Sequence, residues 1–280
     1  MQNIEGLSNW VIRLTQSELP VLKQTSRDLA ALRADDKKLT ARSISEVIAR
    51  DPIMTVKLLR YLQLHKHKAQ TTEVIQVEQV LLMMGLDSFF NKIALQPLVE
   101  DMLKTNVVAL APALRVIHRS HRASEYAKDW AVLLHDLHYD EVRIAALLHD
   151  LAEILMWCFA PQAMLEMRDI QQKDKTLRSH NVQEQVLGYS FDELQTQLAI
   201  QWKLPGLLLN LMNDSNAQSP RVRNVVLAVN LARHSANGWD DAALPDDYKD
   251  IGELLRIPAD QVMDMVAVDA GNAGELSKPH

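Results

Sequence analysis

The sequence has one cysteine and few glycines or aromatic residues. Cys158 has no possible intrachain partner, which excludes a disulfide framework and is typical of a reducing cytoplasm. It lies in an apolar run, so we expect it to pack in the core. Only 8 glycines and 5% aromatic residues, beside many Ala, Leu, Met and Gln, disfavour a sheet-rich domain. The composition therefore predicts an all-α protein.

An excess of basic charge and a long hydrophobic run are also missing. The formal net charge is -6 and the pI is about 5.9, which argues against a nucleic-acid partner bound through neutralised phosphates. The N-terminus has neither the basic nor the apolar region of a signal peptide, and no run of about 18 apolar residues occurs. We expect a cytoplasmic protein with no membrane partner.

Several catalytic motifs do not occur in the sequence. There is no Gly-rich phosphate loop, no serine-nucleophile motif and no CxxC. Hydrolysis at a metal centre built from His and Asp is the one enzymatic chemistry that the residues support.

Helical periodicity runs through nearly every long segment. Ser43 or Ser45 is a candidate N-cap, and Glu46 would complete a capping box with Ser43. Asp51 before Pro52 predicts a second helix from about residue 52 to residue 64. Gly85 is expected to end the next helix, with a restart at residue 87 or 88.

The second half of the chain shows the same pattern. A long helix is expected from about Pro112, and Ser219 before Pro220 predicts another helix start. Residues 237–250 are predicted to form a polar loop, followed by short helical turns and a frayed tail. Met83 and Met84 are expected to be core filler.

The pentapeptide LLHDL occurs twice, at residues 133–137 and 147–151. Asp140 beside Glu141 resembles an N-cap followed by a first-turn carboxylate, so the two copies are expected on different helices. An adjacent His and Asp on a helix point about 100° apart, and they can share one metal only from a bend. Alone, such a pair is more often structural than metal-binding.

The other histidines can be sorted by their neighbours. His118 and His121 share a helix face, but interleaved arginines favour a solvated basic surface over a metal site. His135 and His138 fall at a helix end, where hydrogen bonds to the last carbonyls are the simpler interpretation. Two further histidines, His65 and His67, lie in a Lys-rich turn and are expected to be solvated.

Five segments together resemble the HDOD domain, the HD-related output domain of bacterial signalling proteins. They are ISEVIARDPIMTVKLLRYLQ, VIQVEQVLLMMGLDSFFNKIAL, IAALLHDLAEILM, LGYSFDELQTQLAIQWKLP and VVLAVNLARHSANGWDDAALPDD. The resemblance spans about residues 15–265. It implies an all-α fold in which an N-terminal helical bundle, residues 1–105, packs on an HD-like helical half, residues 106–270. Residues 271–280 would be a tail, and the whole would be one HDOD unit.

The catalytic HD and HD-GYP relatives imply a metal held by a first His, the HD pair, two later histidines and a final Asp. His149 and Asp150 match the pair. The sequence departs from that pattern at the other ligand positions, which carry Arg119 (His118 being one residue off register), Asn213 with Asp214, and Asn230. It also has Ala152 and Glu153 after the pair, and Phe191 where those relatives have a His.

Two remaining ligands are fewer than the three or four of a stable metal site. We therefore predict no catalytic residue, no cofactor and no bound metal, and expect Asp150 to pair with Arg119 or Arg122. The resemblance implies a non-catalytic signalling protein whose partners belong to two-component or cyclic dinucleotide pathways. Without a receiver, kinase or GGDEF-like segment, input is expected from a partner in trans. The sequence leaves the oligomeric state open.

Two other functions stay open. The first is a metal-dependent phosphohydrolase or phosphodiesterase that uses His149 and Asp150 with His118 or His121. The second is nucleotide binding without turnover, with phosphate held by Arg119 and Arg122.

Overall fold

The computed structural model describes residues 6–65 and 73–266 and is built from α-helices, as the composition predicts. Within these residues no β-strand forms, and one isolated parallel bridge joins Val21 to Leu98. The N-terminal half holds helices α1 (Leu7–Gln16), α2 (Lys23–Arg33), α3 (Ala41–Ile48), α4 (Pro52–Leu64), α5 (Val77–Met84), α6 (Leu86–Lys92) and α7 (Val99–Met102).

Within the described residues, the C-terminal half continues with a long helix, eight shorter ones and a final helical segment. These are α8 (Val107–Leu133), α9 (Tyr139–Leu148), α10 (Leu151–Phe159), α11 (Pro161–Lys173), α12 (Ser179–Leu187), α13 (Phe191–Gln201), α14 (Gly206–Leu211), α15 (Pro220–Ser235) and α16 (Leu244–Leu255). A 3₁₀ turn, Asp214–Asn216, precedes α15. Residues 259–266 are also helical. The predicted tail and His67 lie outside the described residues.

Helix α4 joins the two halves. Asp51 accepts hydrogen bonds from the backbone N–H groups of Ile53 and Met54, and Pro52 fills the first helical position, as predicted. Residues 52–59 are all buried, because α4 packs against α5 on one side and against α8 and α9 on the other. One hydrophobic core thus runs through both halves. The expected fold, an N-terminal bundle on an HD-like helical half, is confirmed.

Buried polar groups in the N-terminal half are held mainly by backbone. Burial raises the pKa of Asp51, while hydrogen bonds from backbone groups such as the Leu22 N–H oppose that rise. The Lys57 ammonium donates to the carbonyls of Leu19 and Ala94 at 2.8 and 2.7 Å and pairs with Glu18. These contacts fix α4 to the segments on either side of it.

Three predicted details of the N-terminal half are wrong. The N-cap of α3 is Thr40, and Ser43 is the N3 partner of its capping box, because the helix begins two residues before Ser43. Gly85 does end α5, with φ 79°, but α6 follows at once from Leu86. Met84 packs against the core, whereas Met83 is exposed.

Three boundaries in the C-terminal half also differ. Helix α8 begins at Val107 and carries Pro112 inside it, because the buried proline ring contributes to the core. Helix α9 begins at Tyr139, which places Asp140 in its first turn. The predicted loop over residues 237–250 ends early, since Pro245 and two first-turn aspartates favour the start of α16. The helix starts at Pro52 and Pro220 are confirmed.

No helix among the described residues has both the length and the hydropathy to cross a bilayer. The segments Tyr139–Phe159 and Pro161–Lys173 meet that criterion only as a pair, with a bend of 111° between them. Most of α10, inside the first segment, is buried in the protein core.

Candidate functional site

The His149–Asp150 pair lies at the break between α9 and α10. His149 keeps helical dihedrals as the C-cap of α9, and the chain turns at Asp150, which has φ -97° and ψ 21°. This bend lets the two side chains meet, with His149 Nδ1 3.2 Å from Asp150 Oδ1. Both side chains are buried, at 9% and 8% exposure. The second LLHDL copy therefore forms a buried ionic site.

Two arginines from distant helices hold both oxygens of Asp150. Arg119 on α8 donates to Oδ2 from Nε at 3.1 Å and from Nη2 at 2.6 Å. Arg233 on α15 donates to Oδ1 at 3.2 Å. Arg119 also reaches Glu153, one turn along α10, at 2.8 Å. The expected pairing of Asp150 with Arg119 is confirmed, and the Arg119 side chain is itself only 15% exposed.

The imidazole of His149 is held from both sides. Its Nε2 is 2.9 Å from Asp214 Oδ1, in the 3₁₀ turn before α15. Burial lowers the pKa of His149, but hydrogen bonds to Asp150 and Asp214 and their negative charges outweigh it and raise the pKa to about 9. The ring is then protonated at neutral pH, and both nitrogens donate.

The carboxylate of Asp150 stays ionised. Burial favours its neutral form, but the charge of Arg119, the His149 hydrogen bond and the charge of Arg233 hold its pKa well below the usual range. In turn, the neighbouring carboxylates raise the pKa of Arg119 above its ordinary value against the effect of burial. Three cations thus face three carboxylates in one network: Arg119, Arg233 and His149 against Asp150, Glu153 and Asp214.

This donor set fits a divalent metal poorly. Both oxygens of Asp150 already accept hydrogen bonds from guanidinium groups, and a metal in their place would face two fixed cations. His149 would have to lose its proton before it could be a ligand. Among residues 6–65 and 73–266, no group of three His, Cys, Asp or Glu side chains is arranged to hold a metal ion.

The structure does not bring His118 and His121 to the HD pair. His118 is exposed on α8, and His121 lies 4.0 Å from Glu125 on the same helix. Burial lowers the pKa of His121, and the charge of Glu125 opposes that change. Neither histidine lines the cavities beside His149. Arg122 is also elsewhere, since it donates to Tyr126 and stacks on Trp239.

Two of the positions that replace metal ligands contact the pair. Arg119 contacts Asp150 directly, and Asp214 contacts His149. Asn213 caps the 3₁₀ turn by accepting from the Ser215 N–H. Asn230 lies on α15, one turn before Arg233. Phe191 and Ala152 line the cavity next to the network.

The first LLHDL copy has a different environment. His135 is in the left-handed region at φ 58°, and backbone N–H groups of residues 135 and 136 donate to the carbonyls of residues 132 and 131. These are the two bonds of a Schellman C-cap. The backbone, not the imidazoles, thus closes α8, which corrects the prediction for His135 and His138. The Asp136 carboxylate pairs with Arg221 at 2.8 Å.

Two cavities adjoin the network. One, of about 650 Å³, is lined by Arg119, Asp150, Glu153 and Arg233 together with residues of α8, α11 and α12. The other, of about 550 Å³, lies on the Asp214 side and is lined by residues of α13, α14 and the 3₁₀ turn. His149 and Asp192 line both cavities, so the buried pair lies between two open spaces.

Comparison with known proteins agrees with this fold. The family model of the HDOD domain matches residues 19–218, and the chain belongs to the HDOD domain family. No curated protein matches the chain. The crystal structure of the MmoQ response regulator from Methylococcus capsulatus str. Bath is similar, with a TM-score of 0.64, 17% identity, and coverage of 86% of this chain and 98% of that one.

A virulence factor from Campylobacter jejuni subsp. jejuni is a second similar structure. Its TM-score is 0.66 at 18% identity, over 89% of each chain. At these identities the two structures share the fold with this chain.

Some members of the network could not be found from the sequence. Arg233 lies 83 residues from Asp150, and no local pattern links them. The family resemblance places Asp214 at a ligand position, but nothing in the sequence predicts its pairing with His149. Glu153 was noted as a departure from the HD-GYP pattern, and its role is to share the Arg119 guanidinium with Asp150.

Proposed function

We propose that this protein is a non-catalytic HDOD signalling protein that acts through protein contacts. The observation that carries the proposal is the contact of Arg119 and Arg233 with both oxygens of Asp150. These guanidinium groups supply the positive charge that a metal ion would supply to the carboxylate. A site closed in this way has no open coordination position at which water could be activated.

A role in signalling agrees with the name of one structural neighbour, which is described as a response regulator. Partners in two-component or cyclic dinucleotide pathways remain the proposed class for this chain. A cytoplasmic location is part of the same proposal, and it is favoured by the single cysteine, which is free and buried.

The surface for these contacts is proposed at the first LLHDL copy. Five large apolar side chains are exposed at the α8–α9 junction, and Leu137 is 88% exposed. We call this set the junction surface: Val132, Leu133, Leu134, Leu137 and Tyr139. Clustered exposed apolar side chains often mark sites of protein association. The occupant proposed here is a signalling protein.

Metal content and turnover test the catalytic side of the proposal. Protein purified without chelator is expected to contain far less than one equivalent of metal and to hydrolyse neither nucleotides nor cyclic dinucleotides. Stoichiometric metal together with turnover that is lost in His149→Ala would overturn the proposal and establish a phosphohydrolase. The Asp136→Ala variant, altered in the other LLHDL copy, is the matched control.

Affinity capture from the native host tests the contact side. A partner captured by the wild-type protein should be lost in Leu137→Asp, because the charge would be buried at the interface. It should be retained in Ile12→Asp, which adds the same charge at an exposed apolar position on α1. Equal capture by both variants would remove the junction surface from the proposal.

A further inference from the structure

The 650 Å³ cavity carries more positive charge than the Asp150 network uses. The cations on its wall are Arg115, Arg119, Arg168, Arg233 and the protonated His149, and the anions are Asp150, Glu153 and Asp192. Four arginines therefore face three carboxylates before any histidine is counted. This excess is local, because the chain as a whole has a formal net charge of -6.

Two of these arginines have no carboxylate. Arg115 lies one turn before Arg119 on α8, and Arg168 lies on α11, which packs against α8. Within the described part of the chain neither forms an ion pair or a hydrogen bond, and the Nε of Arg168 is buried without a partner. A guanidinium group that lines a cavity without a counterion is suited to bind an anion from solution, and its planar donors match phosphate oxygens.

The same cavity has an apolar wall. Trp157, Met164 and Met167 line it and are almost fully buried, at 5%, 4% and 5% exposure. The indole N–H of Trp157 has no acceptor among the described residues. An inorganic anion would leave this wall without a partner, whereas a molecule that joins a phosphate to a flat, largely apolar part would cover it.

The adjoining 550 Å³ cavity extends the available space past His149. Its wall is rich in uncharged polar side chains, namely Gln195, Thr196, Asn210, Asn213, Ser215 and Asn216. Amide and hydroxyl groups recognise the edges of bases and the hydroxyls of sugars. Both volumes lie in the range of pockets that hold small ligands.

We propose that the arginine-lined cavity binds the phosphate of a nucleotide, with Arg115 and Arg168 as the anion-binding residues. The inference goes beyond the proposed function, because binding requires neither turnover nor a protein partner. It also changes the residues expected for nucleotide binding, since Arg122 lies outside the cavity and Arg119 is committed to Asp150 and Glu153.

Calorimetric titration of the full chain tests the proposal. The probes are AMP, GMP, ATP, GTP and cyclic di-GMP, with adenosine, guanosine and pyrophosphate as controls, each at up to about 1 mM. At least one nucleotide should bind, and more tightly than its nucleoside or pyrophosphate. Arg115→Gln and Arg168→Gln should each weaken that binding about tenfold, the usual effect of losing one charge-assisted contact.

Arg42→Gln is the matched control, because Arg42 is an exposed arginine on α3 that lines neither cavity. It should bind as the wild type does, and unchanged thermal unfolding of all three variants would show that the fold is intact. The proposal is overturned if no nucleotide binds, if both cavity variants bind like the wild type, or if pyrophosphate or the nucleoside binds as tightly as the nucleotide.

Turnover measured in the same samples separates this inference from the proposed function. Binding with hydrolysis would support the cavity assignment and contradict the non-catalytic role. Absence of binding would overturn the cavity assignment and leave the non-catalytic role unaffected.

Discussion

The two LLHDL copies have the same five residues and opposite environments. In the first copy α8 ends at Leu133, and Leu137 is 88% exposed beyond its C-cap. In the second copy the chain bends between two buried helices, and Leu151 is 1% exposed. Both aspartates pair with arginine, Asp136 with Arg221 and Asp150 with Arg119. The difference is in burial and in the number of cations that each carboxylate holds.

The comparison shows that a short motif does not determine its own chemistry. Asp136 shares the partly exposed Arg221 with Glu141, and the two carboxylate side chains are 19% and 17% exposed. Asp150 is buried beside two arginines and a protonated histidine, so loss of its charge would leave these three cations with only Glu153 and Asp214 as counter-ions. The same residue type is thus a surface contact in one copy and a structural requirement in the other.

Removal of the carboxylate from each copy in turn should give the largest difference in the free energy of unfolding. Asp150→Ala should lower the free energy of unfolding by about 3–5 kcal/mol, since the buried Arg119 and His149 lose the anion between them inside the protein. Asp136→Ala should cost about 1 kcal/mol or less. Urea unfolding followed by circular dichroism measures both. Equal losses would show that burial does not distinguish the two sites.

Truncation of the last leucine of each copy should give a slightly smaller difference in the free energy of unfolding. Leu151→Ala leaves a cavity in the core and should cost about 2–5 kcal/mol. Leu137→Ala should change stability by less than about 0.5 kcal/mol, because the side chain is almost fully exposed. Thermal unfolding of the two variants would measure both changes in stability. A large loss for Leu137→Ala would contradict the exposed position of the first copy.

The pH dependence of stability should show a contribution from His149. Its pKa of about 9 in the folded protein lies above the ordinary 6.5, so its contribution is complete below about pH 6.5 and is lost as the pH rises through 9. The shift corresponds to at most about 3 kcal/mol. Urea unfolding at several pH values from about 6 to 10 measures the slope, and His149→Gln should flatten it. An unchanged slope in that variant would refute a protonated His149.

Much of the fold follows from local sequence. The Asp51–Pro52 start of α4, the end of α5 at Gly85 and the start of α15 at Pro220 depend on residues within one turn of the boundary. The errors are local too. The polar composition of residues 237–250 predicts a loop, although Pro245 and the two aspartates after it are typical of the helix start found at α16.

The candidate site could be predicted only in part. The sequence predicts that Asp150 pairs with Arg119 or Arg122, and the packing of α8 against α10 selects Arg119. Arg233 and the opposing contact of Asp214 with His149 depend on how α15 and the 3₁₀ turn pack, over separations of 83 and 65 residues. No period or cap in the sequence encodes such contacts, and the cavity arginines 115 and 168 were missed for the same reason.

We propose that arginine, not metal, compensates the charge of Asp150. A crystal structure determined from crystals soaked in Mn²⁺, with anomalous data collected at the manganese edge, tests it most directly. No anomalous peak is expected within bonding distance of the Asp150 oxygens, and Arg119 and Arg233 should still contact them. A manganese ion bound to Asp150 and His149, with the guanidinium groups displaced, would contradict it.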